Sequence, residues 1–233
     1  MIYRQSKISK SFAYLFHLYR LRACVLTSKG ETMNFDKHFS ILSKAFGRGV
    51  FPYQMTWILD LPGRGLIMSA KTVANRLPVT SSATVLEIGP GSGYYSVEVA
   101  KKVVHGRLDI LDIQKEMLDK CKQKMDLAGL KNYKTHLGDG KTLPFEDNSF
   151  DAIYMVTVFG EIENRKNFLM EAARVLKPCG VISITEHHPD PDFETPAILQ
   201  DSVESFGFSL VQKFGWRWAY TLNFFNRERN GDK

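Results

Sequence analysis

Cysteine is sparse in this chain and scattered. Cys24, Cys121 and Cys179 are its only three, and no two stand in a CxxC pair. That argues against a disulfide framework and against a zinc site, and it suits a reducing compartment. Long apolar runs are also lacking. The apolar residues of the first 29 positions are interrupted by His17, Arg20 and Arg22, so this stretch cannot span a bilayer. Acidic residues are missing from the same region. Arg4, Lys7, Lys10, Arg20, Arg22 and Lys29 face Glu31 alone, so five of the net +6 charges lie in the first 31 residues. The body of the chain is nearly neutral. A nucleic-acid face would need a basic patch on the folded domain, and no nucleic-acid partner is expected. What is present is ordinary for a globular chain of 233 residues: 44% hydrophobic and 24% charged. That length can bury a full core without covalent staples.

Three segments follow from the pattern. Residues 1–32 are a basic leader or extension, weakly ordered by expectation. Two other readings of the leader stand beside this one: an organelle-targeting peptide, which is typically Arg-rich and acid-poor, or an amphipathic helix lying on a membrane surface. The expected location is intracellular, cytoplasmic or organellar, with no transmembrane helix and with peripheral membrane contact through the leader. Residues 33–80 form a helical cap. Phe35, Phe39, Leu42 and Phe46 recur at helical spacing, and one or two short helices follow around Pro62-Gly63. From about residue 81 to 233, strand-like runs alternate with helical ones. "TVLEIG", "GRLDILDI", "NYKTHLGD", "FDAIYMVTVF" and "PCGVISITE" read as strands, with helical segments between most of them. The last two runs, "FSLVQKFGW" and "WAYTLNFF", have no room for a crossover helix and predict an antiparallel hairpin. The fold class is α/β: a Rossmann-like, doubly wound, mostly parallel seven-stranded sheet ending in that hairpin.

The most informative stretch is "VLEIGPGSGYYS", Val85–Ser96. A strand running into a glycine loop and then a helix is the first unit of a nucleotide-binding sheet. The dinucleotide fingerprint needs a third glycine where Tyr94 stands; here the third glycine comes early, at Gly93. No Gly-Lys-Ser/Thr follows, which excludes a P-loop. Glu87 stands just before the loop, where it would repel a pyrophosphate but could accept a bond from an ammonium group. Asp112 ends the second strand, where a carboxylate can take both hydroxyls of a ribose. Asp139 follows the third and could accept from an adenine amine. Each of the last two has a plainer reading, Asp112 as a helix cap and Asp139 as a turn residue. Three acids on consecutive strand ends beside Gly-x-Gly-x-Gly are harder to assign to chance.

These motifs resemble those of the class I S-adenosylmethionine-dependent methyltransferases, from about Val85 to the C-terminus. "LGDGKTLPFEDNSFDAIYMVTVF" and "EAARVLKPCGVISITE" resemble the family's later segments, with Cys179 where glycine is common. The nearest likeness is to the small-molecule, quinone- and sterol-type members. The resemblance implies S-adenosyl-L-methionine as cofactor. It implies that Glu87, Gly89, Pro90, Gly91 and Gly93 surround the methionine part. Asp112 would bind the ribose and Ile113 pack on the adenine. Gly138, Asp139 and Gly140 would border the base, and Val156 and Thr157 would lie near the sulfonium.

Such methyl transfer is an in-line displacement, so catalysis is mostly positioning, and a base is needed only if the acceptor must lose a proton. Candidate catalytic residues are Glu161 and Glu186. The cluster "TEHHPDPD" holds Glu186, His187, His188, Asp190 and Asp192, and reads more readily as a polar loop of solvated side chains than as a metal site; no metal is expected. Phe51, Tyr53 and Trp57 in the cap are candidate contacts for a small-molecule or lipid-like acceptor. The competing functions are an NAD-dependent oxidoreductase and a non-catalytic S-adenosylmethionine-binding module. The sequence leaves the oligomeric state open.

Overall fold

The computed structural model describes residues 51–55, 65, 68–188, 190 and 192–226. The leader, most of the expected cap and Trp57 lie outside the described residues.

The first strand, β1 (Thr84–Ile88), is buried on both sides, as a central parallel strand must be. Val85 packs into one apolar cluster, while Leu86 and Ile88 pack into another. The pleat sends successive side chains to opposite faces, so the sheet has a core on each. Four parallel strands accompany β1: β2 (Arg107–Asp112), β3 (Tyr133–Leu137), β4 (Phe150–Val156) and β5 (Leu176–His187). The chain closes with β6 (Phe208–Trp216) and β7 (Ala219–Asn226), and β7 runs antiparallel between β5 and β6. The seven strands lie in the order β3-β2-β1-β4-β5-β7-β6. The order reverses between β1 and β4, and that crevice is where open α/β sheets hold ligands.

Helices cover both faces. α1 (Ala70–Arg76) starts at Ser69, whose hydroxyl accepts the Thr72 amide at 3.0 Å. α2 (Ser96–Lys102) and α3 (Lys115–Leu127) join it over the cluster containing Val85, Tyr154 and Val181. α4 (Arg165–Val175) is capped by Asn164, which accepts from the Asn167 amide. It shares the opposite face with α5 (Pro196–Glu204), whose proline sits in the first turn, where its missing N–H costs nothing. The doubly wound sheet and the terminal hairpin are thus as the sequence predicts. Several strand ends differ from the expected runs: β3 stops at Leu137, β4 stops at Val156, and β5 begins at Leu176. β5 was expected to end near Glu186, but it continues to His187 because β7 pairs with it all the way to His187–Ala219.

Candidate active site at the strand ends

The loop after β1 is shaped by its glycines. Gly89, Gly91 and Gly93 have φ of +66°, +55° and +81°, a region that L side chains enter at a cost. Two of them also have no room. A Cβ on Gly89 would lie 2.6 Å from Val158, so this glycine lets the β1 loop lie against the segment after β4. A Cβ on Gly93 would lie 2.8 Å from Cys121 Sγ, so Gly93 lets α3 close on the loop. Pro90 is buried, and its carbonyl accepts the Gly93 amide at 3.0 Å.

The three strand-end acids have different surroundings. Glu87 is only 2% exposed, and its Oε2 has no hydrogen-bond partner. Burial raises its pKa to about 7, against the pull of the Ser96 and Tyr154 hydroxyls beside it. Asp112 is also buried, and its pKa is raised to about 6 by desolvation. Its Oδ1 accepts the Gln114 amide at 2.8 Å, so it does brace the turn into α3. Beside it Ile113 is half exposed, an apolar side chain left open at the edge. Asp139 is a turn former here: its Oδ1 accepts the Lys141 amide at 3.0 Å. Gly138 donates its amide to the Asp112 carbonyl at 3.0 Å, which keeps this loop against the end of β2. Gly140, at φ +72°, has open space around it.

Beyond β4 the backbone turns sharply. Val156 is buried, and Thr157 takes φ +53°, its amide donating to Thr185 O at 2.8 Å. A short 3-10 turn, Phe159–Glu161, then brings Glu161 back over the edge. Burial first, then the charges of Asp190 and Asp192, push its pKa up to about 8, against an accepted bond from the Phe51 amide. Phe51 thereby reaches the site from the N-terminal side. The Phe51 carbonyl accepts from Gln114 Nε2 at 2.7 Å, and the Tyr53 amide donates to Gln114 Oε1 at 3.2 Å. Residues 51–55 therefore lie across the strand ends, between the β2–α3 turn and Glu161. Nothing in the sequence marks Gln114 for this task, because its partners lie more than sixty positions away in the chain.

The reading of "TEHHPDPD" as solvated side chains fails at Glu186 and His187, while His188, Asp190 and Asp192 are half-buried. Glu186 is 1% and His187 8% exposed, because both belong to β5 and β7 covers them. Glu186 Oε1 has no hydrogen-bond partner, and burial, reinforced by Asp190, Glu194 and Glu161, holds its carboxyl well above the usual range. His187 Nε2 lies 3.2 Å from the Tyr95 hydroxyl, joining β5 to the glycine loop. The His188 ring lies 4.1 Å from Phe193 and 4.8 Å from Trp218, centroid to centroid. Arg165 pairs with Glu194 at 2.8 Å and covers the Phe159 ring, so one cation faces this group of acids. Among the described residues no three His, Cys, Asp or Glu side chains converge on a metal position.

Comparison with known proteins agrees with this architecture. A methyltransferase domain family matches residues 85–180. A ubiquinone/menaquinone biosynthesis C-methyltransferase, UbiE, of Rickettsia bellii is 33% identical over 141 residues, covering 58% of this chain and 54% of that protein. The corresponding protein of Rickettsia felis is 28% identical over 192 residues, covering 79% and 74%. The biotin biosynthesis bifunctional protein BioHC of Teredinibacter turnerae is 34% identical over 137 residues, covering 56% of this chain and 24% of that one. The chain thus spans about half the length of the first of these relatives. Among solved structures, a SAM-dependent methyltransferase of Aquifex aeolicus superposes with a TM-score of 0.70 at 24% identity, covering 75% of this chain and 98% of that one. The [4+2]-cyclase SpnF shares the fold too, at a TM-score of 0.56 and 22% identity, covering 62% and 57%.

Proposed function

We propose, from the premise that this chain belongs to the class I S-adenosylmethionine-dependent methyltransferases, that it methylates a small, apolar or lipid-like acceptor at the C-terminal edge of its sheet. The observation that carries the reading is the pair Glu87 and Asp112. Two carboxylates lie buried at neighbouring strand ends beside a glycine loop, and burial disfavours the charge of both. A ligand with an ammonium group and a ribose would restore that charge; a pyrophosphate would oppose it. The residues therefore fit S-adenosylmethionine. The unpartnered Oε2 of Glu87 is an acceptor in want of a donor, and the glycine loop lets backbone approach a ligand closely.

In this reading Glu87 and the loop from Gly89 to Gly93 hold the amino-acid end, Asp112 the ribose, Ile113 one face of the base, and Gly138–Gly140 its edge. Val156 and Thr157 line the region of the sulfonium. When bound, the cofactor supplies an activated methyl group that an acceptor nucleophile takes by in-line displacement. The protein's part is to align the acceptor and exclude water. Glu161 takes the acceptor's proton where one must leave, and Glu186, which burial holds neutral, is the second candidate for that task. Phe51 and Tyr53 supply the apolar wall, and Trp57 of the same cap (33–80) is a further candidate contact from the sequence alone. Of the activities its relatives are named for, quinone C-methylation is the one this site suits.

Because SpnF carries the same fold under the name of a cyclase, the activity needs its own test. Calorimetric titration with S-adenosylhomocysteine and with NAD separates the donor classes: the first should bind and the second should not. Transfer of labelled methyl to a demethylated quinol, against a metabolite extract as the open search, then tests the acceptor. Binding of NAD alone overturns the assignment. Binding of S-adenosylhomocysteine without transfer to any acceptor leaves a non-catalytic binding module.

A further inference from the structure

We propose that the tip of the β6–β7 hairpin, Trp216-Arg217-Trp218, is a docking element for an anionic lipid bilayer. Trp216 is 66% and Trp218 41% exposed, an unusual outlay of large apolar surface on so short a turn. Arg217 is exposed between them, its guanidinium 4.4 Å over the Trp218 ring. Lys213, on the same strand, is exposed as well. Indole rings with an apolar body and a polar N–H, set beside cations, match the boundary between headgroups and acyl chains. The cations add attraction to anionic headgroups.

The tip is presented rigidly. Trp216 pairs with Ala219 across a two-residue turn, and Tyr220, Leu222 and Phe224 of β7 are fully buried. Gly215, at φ +85°, lies so close to the Ala219 carbonyl that no side chain fits there, which fixes the entry to the turn. A stable protein–protein contact needs roughly 800 Å² from each partner, far more than three residues provide. Insertion into an interface has no such threshold.

Position gives the tip its purpose. Ala219 pairs with His187, the last residue of β5, so the turn projects beyond the same strand ends that hold Glu161 and Glu186. Trp218 accepts the His188 amide on its carbonyl at 2.9 Å, which ties the tip to the segment after β5. A bilayer held there would bring a lipid-like acceptor to the edge where it reacts. This purpose rests on the lipid-like acceptor proposed above; the docking itself does not.

The test therefore uses no acceptor and no methyl donor. The full chain is mixed with vesicles of phosphatidylcholine, alone or with roughly one-third phosphatidylserine, and sedimented. We expect binding to the anionic vesicles only. Trp216→Ser should weaken it at least about tenfold, because an indole leaves the interface, and Arg217→Ala about fivefold. In Trp57→Phe protein, the fluorescence of the tip should shift to the blue on binding and be quenched by brominated lipid. Unchanged affinity for S-adenosylhomocysteine shows that each variant is folded. The proposal is overturned if the full chain binds no vesicle. It is overturned too if both tip variants bind like the parent, since the leader then carries the contact. A tip-dependent dimer in sedimentation velocity without lipid would overturn it in favour of a second copy of this chain.

Discussion

At the scale of the residue, the group on which the proposed mechanism turns is Glu161. A carboxyl with a pKa of about 8 is mostly protonated at neutral pH, and it loses its proton where a general base is most useful. Four causes place it there, the largest first: burial, then Asp190, Asp192 and Asp112, against the Phe51 amide. The sign is clear for catalysis. Only the ionised form can accept a proton, so the methylation rate should rise with pH up to about 8 and level off. Glu161→Gln should remove that rise and lower kcat by about 10²-fold or more, with donor affinity little changed. Rate measurements from pH 6 to 9 on both proteins, at saturating donor, decide it. If the variant keeps the parent's pH profile, the proton leaves by another route. Glu186 was legible as a candidate in the sequence but not in its character. Its neighbours suggest a wet loop, and only the pairing with β7, more than thirty positions later in the chain, shows that it is buried.

At the scale of the element, the glycine loop and α3 form one unit, and its tolerance can be separated into backbone and packing. Gly93 and Gly129 both have positive φ, +81° and +73°. Gly129 follows α3 and has open space around it, whereas a Cβ on Gly93 would lie 3.0 Å from the Cys121 backbone. Gly129→Ala should therefore cost only the left-handed penalty of about 1–2 kcal/mol. Gly93→Ala should cost about 1–3 kcal/mol more, because α3 must move away from the loop. Urea unfolding of the two variants measures the difference, and equal costs would show that α3 does not rest on Gly93. The elements themselves were easy to read. Strands such as "TVLEI" are short apolar runs bounded by turn residues, and "KEMLDKCKQKMDL" repeats its buried Met117, Leu118, Cys121 and Met125 at helical spacing. Contacts between distant segments left no such trace. Gln114 gripping Phe51 and Tyr53, and His187 meeting Tyr95, depend on what the fold brings together.

At the scale of the whole molecule, the buried acids act together on stability. Glu87, Asp112 and Glu161 have folded pKa values of about 7, 6 and 8, and Glu186 lies well above its ordinary value; all are raised chiefly by desolvation. The folded chain thus holds protons that the unfolded chain has already released. Stability should be greatest below the ordinary carboxylate range and decline as pH rises through the folded values, from about 4 to about 8. General acid denaturation from other carboxylates will oppose this at the lowest pH, so the decline is best followed between pH 6 and 8. Cofactor should reverse part of it. An ammonium group beside Glu87 favours the carboxylate, so S-adenosylhomocysteine binding near pH 7 should expel protons, and its stabilisation should grow with pH. At a hundredfold excess over Kd the ligand contributes about 2.7 kcal/mol. Calorimetry in buffers of different ionisation enthalpy counts the protons, and Glu87→Gln should lower the count. Proton uptake on binding, or a count unchanged by Glu87→Gln, would mean that Glu87 stays neutral beneath the loop. It would then serve the fold by bracing α2 through Ser96, and some other group would meet the amino end of the cofactor.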